Sequence, residues 1–140
     1  MHIRLTILLI TFFVFNNPLG SQTLAPEDKM ISIYFGGGSY YIDDDQGTDL
    51  IDFINDIDNL ARYQIEVHGH TDNIGSLDFN QYLSHMRCEA VIDILKSLLI
   101  EEETIFQYDH GEQDPDYSNA TFQGKLHNRR VDVIIRKLAL

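Results

Sequence analysis

Apolar residues recur along the chain at spacings that predict four short β-strands. In segments 31–35 and 64–68 they alternate with polar residues or form short β-branched runs, which is typical of half-buried strands. A third strand is predicted at 105–108, and a last, mostly apolar one at 131–135. The glycines 36–38 end the first strand, and we interpret them as a turn because no Lys-Ser or Lys-Thr pair of a phosphate loop follows.

Two segments between these strands have the spacing of an amphipathic helix. The first follows Thr48, which we expect to cap a helix that ends near Leu60 or Ala61. Its apolar positions are Leu50, Ile54, Ile57 and Ala61. The second begins near Leu77, and its apolar positions are Phe79, Leu83, Met86, Ala90, Ile94 and Leu98. Arg87 flanks this stripe, so we expect its guanidinium group to stay accessible.

The predicted order is therefore strand, helix, strand, helix, strand, loop, strand. The loop is the long segment 109–128, which lacks clear periodicity. Loops of this length in compact domains usually carry function.

The N-terminus has the layout of a secretory signal peptide. His2 and Arg4 precede the apolar run 5–15, and a polar, turn-rich segment then ends in Gly20-Ser21. The run is shorter than the roughly 20 apolar residues that a membrane-spanning helix needs. We expect cleavage after Ser21, with Ala25 as a second small residue at which the leader could end.

This interpretation divides the chain into three parts. We expect residues 1–21 to be a cleaved signal peptide, residues 22–29 a short linker and residues 30–140 the folded domain. The mature chain is then predicted to have no membrane-spanning segment.

Length and charge narrow the class of protein further. The chain has 140 residues, 44% of them hydrophobic, and a formal net charge of -12. A chain of this size forms one domain with one core. Nucleic-acid binding depends on clustered Lys and Arg, so we expect no nucleic-acid partner. Cys88 is the only cysteine, which precludes an intramolecular disulfide, and we expect it to be a small buried residue.

Residues able to recognise a charged ligand cluster at three places in this pattern. The sequence Gly69-His70-Thr71-Asp72, with Gly75 beyond it, follows the second strand. Asn80 and Arg87 lie on the second helix, and Asn128-Arg129-Arg130 precedes the last strand. This set supplies one carboxylate, amides and guanidinium groups, a combination that suits a zwitterionic ligand.

These residues resemble the motif of the OmpA-like peptidoglycan-binding domain over roughly residues 30–137. The matching positions also include Leu83-Ser84, Ala90-Val91, Gly111-Glu112, Pro115, Asn119, Thr121, Gly124 and Val131. The resemblance implies an α+β fold, a two-layer sandwich in which two main helices cover one face of a mixed β-sheet, in the order β-α-β-α-β-β. The chain departs from the usual pattern at Gly36-Gly37-Gly38, at Asp109-His110 and at Lys125.

The resemblance also implies the ligand and the residues that bind it. Members of the family hold the diaminopimelate of the peptidoglycan stem non-covalently, and the free end of that ligand carries a carboxylate and an ammonium. Carried over by position, Asp72 would accept hydrogen bonds from the ammonium, and Arg87 would bind the carboxylate through its planar fork. Four further residues match positions that line the family's pocket: Thr71, Asn80, Asn128 and Arg129. The expected location is the periplasm, in association with the outer membrane or cell envelope.

The same residues also permit structural roles. Asp72 could cap the turn after the strand, and Arg87 could pair with an acid on its own helix. Arg129 with Arg130 could anchor the last strand to an acidic surface.

Two other functions are compatible with the sequence. An adaptor that keeps this fold and no longer binds the cell wall would use its acidic surface to bind envelope proteins, and homodimerisation is also open. A metal-dependent hydrolase would use His68, His70 and Asp72, which lie on one extended segment. No further metal ligand and no paired nucleophile and base are apparent, so we expect no metal, no cofactor and no catalysis.

Overall fold

The computed structural model describes residues 24–138, so the predicted signal peptide lies outside the described residues. The elements in chain order are β1 (Lys29–Tyr34), α1 (Asp44–Asn55), β2 (Tyr63–His70), α2 (Leu77–Ser97), β3 (Ile105–Gly111), α3 (Phe122–Asn128) and β4 (Arg130–Lys137). Single 3-10 turns at Leu60–Arg62 and Glu102–Thr104 precede β2 and β3. The predicted α+β class is confirmed.

The four strands form one mixed sheet in the spatial order β1-β4-β2-β3. β4 is antiparallel to both of its neighbours, whereas β2 and β3 are parallel. Parallel neighbours need a long crossover connection, and α2 supplies it. The two central strands are therefore β4 and β2, with β1 and β3 at the edges.

One hydrophobic core lies between a face of the sheet and the helices α1 and α2. Its buried members include Ile33, Leu50, Val67, Leu95 and Val133, which come from three strands and both helices. Cys88 also belongs to this core, as predicted, and burial raises the pKa of its thiol. The predicted two-layer arrangement with two main helices is confirmed.

The start and the end of α1 differ from the prediction. The capping residue is Asp43, whose side chain accepts a hydrogen bond of 2.9 Å from the amide of Gln46. Thr48 lies inside the helix, where its hydroxyl donates to the carbonyl of Asp44 at 2.8 Å. The helix ends at Asn55, before Asn59 adopts a left-handed φ of 54°, which a continuing α-helix does not permit.

The helix α2 begins at Leu77, as predicted, because the Ser76 hydroxyl caps it by accepting from the amide of Phe79. Its buried face, however, is displaced from the predicted apolar stripe. Phe79 is 46% exposed, whereas Arg87 is only 1% exposed, so the prediction of an accessible Arg87 guanidinium is wrong. Polar residues occupy the buried face of the first half of α2, which apolar periodicity alone does not reveal.

The segment predicted as a long loop contains an additional short helix, α3. Thr121 caps α3 by accepting from the amide of Gly124 at 3.0 Å. A Cβ atom at Gly124 would overlap the carbonyl oxygen of Ser118, so the bend before α3 requires glycine. The side chain of Asn128 then bonds to Tyr117 and Asn119 and fixes the remaining loop to the end of α3.

Candidate ligand-binding cavity

Three strand ends and one helix meet at the same end of the sheet. β1 ends where β4 begins, with Tyr34 opposite Arg130, and β2 ends beside the same part of β4, with Gly69 opposite Val131. The loop that leaves β2 leads directly into α2. Residues that follow β1, follow β2 or precede β4 are therefore neighbours in space.

A cavity of about 180 Å³ opens at this end, and three charged side chains line it: Asp72, Arg87 and Arg129. Asp72 comes from the loop after β2, Arg87 from α2 and Arg129 from the junction of α3 and β4. The remaining lining residues are Gly37, Gly38, Ile74, Gly75, Phe79 and Leu83. The structure thus brings three of the six sequence-predicted ligand residues together.

Asp72 forms an ion pair with Arg129 inside this cavity. Its Oδ2 atom accepts a hydrogen bond of 2.6 Å from Nε of Arg129, and the two side chains are 8% and 14% exposed. Its Oδ1 atom accepts from the amide of Ile74 at 3.0 Å. Asp72 therefore also caps the turn after β2, which was one of its alternative roles.

The side chain of Arg87 is hydrogen-bonded to the backbone. Its guanidinium donates to the carbonyls of Ser39, His70 and Gly36 at 2.8, 2.9 and 2.9 Å. Three of the five N–H groups of an arginine side chain are thus used, and two have no acceptor within residues 24–138. The group also lies 5.1 Å from the ring centroid of Phe35. Burial lowers the pKa of Arg87 to about 10, while nearby Asp72 opposes that change, so the side chain is a cation at neutral pH.

The triglycine segment after β1 forms a rim of the cavity as a tight turn, as interpreted from the sequence. The amide of Ser39 donates to the carbonyl of Gly36 at 3.3 Å, and Gly38 has a φ of +66°. Gly37 lies against Arg129, because a Cβ atom there would come within 3.4 Å of the Nη1 atom. By binding both Gly36 and Ser39, Arg87 fixes the position of this rim.

The other three predicted residues do not line the cavity, and each supports a neighbouring segment. The Thr71 hydroxyl donates to the carbonyl of Asp72 at 2.9 Å. Asn80 donates to Glu112, and its own Oδ1 atom is buried without a hydrogen-bond partner in the described part of the chain. Asn128 holds the loop before α3, directly beside Arg129. Direct contact of these three residues with a ligand stays a prediction.

Sequence reasoning did not assign the apolar part of the cavity wall. Ile74 is 56% exposed and Phe79 is 46% exposed, and both lie at the cavity. Phe79 was instead predicted to face the core. Which side chains are exposed in the first turn of α2 depends on the angle between this helix and β2. The spacing of apolar residues along the chain does not predict that angle.

The histidines of the predicted metal-site alternative lie in a stack of aromatic rings on strands β2 and β3. The ring centroids of His70 and His110 are 4.6 Å apart, and those of His68 and His110 are 5.2 Å apart, with nearly parallel planes. Burial lowers the pKa of all three, and that of His70 falls to about 2. Within residues 24–138, no group of three or more His, Cys, Asp or Glu side chains is arranged to hold a metal ion.

The chain matches a known family across this fold. The family model of the OmpA family matches residues 34–129, which is more than half of the sequence. The chain belongs to the OmpA family. All cavity-lining residues of this OmpA-family domain fall inside the matched range. No helix of residues 24–138 is both long enough and apolar enough to cross a bilayer.

Individual relatives are similar to this OmpA-family domain over part of their length. Outer membrane porin F of Pseudomonas fluorescens is 36% identical over 91 residues, which are 60% of this chain and 28% of the porin. The peptidoglycan-binding protein ArfA of Mycobacterium tuberculosis is 35% identical over 72 residues, which are 51% of this chain and 22% of ArfA. The chain therefore spans less than a third of either relative.

A solved structure extends the similarity to the whole fold. The peptidoglycan-associated lipoprotein from Burkholderia pseudomallei superposes with a TM-score of 0.69 at 25% identity. The superposition covers 75% of this chain and 89% of the lipoprotein chain. The fold implied by the resemblance is thus confirmed.

Proposed function

We propose that this OmpA-family domain binds peptidoglycan non-covalently, through the diaminopimelate end of the peptide stem, in the periplasm. The observation that carries the proposal is the single cavity lined by Asp72, Arg87 and Arg129. The names of two relatives support it, since ArfA is a peptidoglycan-binding protein and the lipoprotein is peptidoglycan-associated. The name of porin F supports a place in the outer envelope.

The chemistry of the cavity suits the free end of diaminopimelate, an amino-acid head with one ammonium and one carboxylate. Asp72 accepts from the ammonium, and Arg129, together with the two uncommitted N–H groups of Arg87, donates to the carboxylate. The side chains of Ile74 and Phe79 contact the methylene groups that follow. Hydrogen bonds that involve a charged group contribute about 1.5–3 kcal/mol each when they are shielded from water.

The charge balance of the cavity differs from that of the chain. Two guanidinium groups and one carboxylate give the cavity a local net charge of +1, inside a chain with a formal charge of -12. A carboxylate is therefore attracted to this site and repelled by most of the remaining surface. This contrast directs an anionic peptide end to one place on the domain.

The proposed role is binding without catalysis. The thiol of Cys88 is fully buried and its pKa is raised, so it is not an activated nucleophile. The proposal retains the predicted division into a signal peptide at 1–21, a linker at 22–29 and a domain from residue 30. The start of β1 at Lys29 and the 2.7 Å ion pair of Asp28 with Arg136 support a folded domain that begins close to this border.

The test is retention of the purified protein on isolated cell-wall sacculi. We expect Asp72→Asn to lower retention by about tenfold or more, because one charged hydrogen-bonding group is lost from a shielded site. The matched control is Asp93→Asn, which removes one carboxylate from the exposed side of α2. Equal retention of the wild type and Asp72→Asn would contradict the proposal and favour the adaptor, which predicts no retention that depends on Asp72.

A further inference from the structure

We infer that Arg129 makes the cavity selective for zwitterions: its ion pair with Asp72 admits an ammonium only when a carboxylate enters with it. This inference rests on the proposed function and concerns the same cavity. It assigns Arg129 a role different from that of Arg87, although both are arginines in one wall.

Both oxygens of the Asp72 carboxylate already accept hydrogen bonds. Oδ2 accepts from Arg129 at 2.6 Å, and Oδ1 accepts from the amide of Ile74 at 3.0 Å. An incoming ammonium therefore competes with a guanidinium that is already paired. With side chains that are 8% and 14% exposed, water does not readily replace a lost partner.

The charges in the cavity disfavour a lone ammonium. Arg87, Arg129 and Asp72 give two cations and one anion. A lone ammonium would add a third cation beside the single carboxylate and would leave Arg129 without its partner, which is costly in a shielded site. A zwitterion brings its own carboxylate, so Arg129 exchanges Asp72 for the ligand's carboxylate while Asp72 exchanges Arg129 for the ligand's ammonium. Asp72 and Arg129 then each keep a partner of opposite charge.

The two arginine side chains differ in how tightly they are held. Arg87 is 1% exposed and bound to three carbonyls, so its guanidinium is fixed. Within residues 24–138 the Arg129 side chain donates to Asp72, and Gly37, which has no side chain, lies next to its Nη1 atom. Arg129 is therefore the cation able to change partners, whereas Arg87 holds the turn of Gly36 to Ser39 and offers its two remaining N–H groups from a fixed position.

The test compares diaminopimelate with 1,5-diaminopentane, which has the same five carbons from one amine to the other and lacks only the two carboxylates. Binding of each is measured by calorimetry at an ionic strength of about 0.15 M, where charges beyond about 8 Å are largely screened. The proteins are the wild type, Arg129→Met and the control Arg62→Met. Arg62 is an exposed arginine in the 3-10 turn directly before β2, at the opposite end of that strand from Asp72, so its variant removes the same charge away from the cavity.

We expect wild type to bind diaminopimelate at least about tenfold more tightly than the diamine. In Arg129→Met this ratio should fall by about tenfold, because the diamine then finds Asp72 unpaired, whereas Arg62→Met should retain the wild-type ratio. An unchanged ratio in Arg129→Met, or a wild type that binds both ligands equally, would overturn the inference.

A second measurement uses only the wild type and so does not depend on the folding of a variant. The NMR signal of the Arg129 Nε–H group should shift at saturation with diaminopimelate and stay in place at the same concentration of the diamine. A signal that diaminopimelate does not move would overturn the inference. If sacculi retain the protein in an Asp72-dependent manner while the ratio is unchanged, only the selectivity fails; if neither sacculi nor diaminopimelate binds, the proposed function fails as well.

Discussion

Acidification should destabilise this domain through His70, a buried imidazole that is held in its neutral form. The ring is 4% exposed, and neither ring nitrogen has a hydrogen-bond partner within residues 24–138. The charged or titratable groups around it are His68, His110, Arg130 and Asp132. Asp132 lies 3.9 Å away, but both of its oxygens accept from Arg130, so it offers little compensation for a charge on His70.

The size of the effect follows from the two pKa values. Burial lowers the pKa of His70 to about 2 in the folded chain, and Arg130 and the two neighbouring histidines act in the same direction. In the unfolded chain the value is about 6.5. Protons therefore bind the unfolded state more strongly, and the stability present above about pH 6.5 is lost progressively as the pH falls below that value. From about pH 7.5 to about pH 5.5 the expected loss from His70 is about 1.4 kcal/mol.

Urea unfolding at the two pH values measures this loss directly. For a domain of this size, about 1.4 kcal/mol corresponds to a decrease of roughly 1 M in the midpoint. The variant His70→Phe keeps a ring to stack on His110 and removes the titrating nitrogens, so its pH-dependent loss should be smaller than that of the wild type by about 1.4 kcal/mol. Tyr108→Phe is the control, since it changes the ring stacked on His68 and leaves every histidine in place.

If His70→Phe loses as much stability as the wild type between the two pH values, His70 is not the group that links protonation to unfolding. A wild type whose midpoint is constant over this range would show that the imidazole is protonated in the folded chain at no cost.

Two further predictions concern the glycines and the buried arginine. Gly69→Ala should destabilise the domain by about 3 kcal/mol or more, because its Cβ atom would lie 2.5 Å from the carbonyl oxygen of Ser84. Gly47→Ala inside α1 would make only an ordinary van der Waals contact, so it should stabilise the domain by about 0.5–1 kcal/mol. Thermal unfolding of both variants measures these opposite effects, and equal effects would contradict the prediction. Arg87→Lys should lower the free energy of unfolding by about 2–4 kcal/mol, because a compact ammonium does not reach the carbonyls of Gly36, Ser39 and His70 together. Urea unfolding measures this loss, and a loss below about 0.5 kcal/mol would show that these hydrogen bonds contribute little.

The sequence predicted the strands and the start of α2 because local signals agree there. The apolar positions of β2 have a period of two, and Ser76 is a good capping residue before an apolar series of helical period. The start of α1 was misplaced because several capping residues precede it. The side chain of Gln46 bonds to Asp43 and also to the backbone of Tyr34, and this tertiary contact selects Asp43 over Thr48.

The candidate site was predictable as a set of positions and not as a set of contacts. The motif indicated Asp72, Arg87 and Arg129, but their partners come from distant parts of the chain. Arg87 is buried because Gly36 and Ser39, about 50 residues earlier, turn over its guanidinium. Asp72 pairs with Arg129 only because β2 and β4 are adjacent and antiparallel. Neither fact is present in the local spacing of residues.

The position of β4 in the sheet has a consequence for how the protein is made. β1 pairs only with β4 in the described sheet, although about 100 residues separate them in the chain. While the polypeptide emerges from a ribosome, β1 has no strand to join until residues 130–137 are made. The edge of the sheet next to β4 therefore forms only after nearly the whole chain has been made.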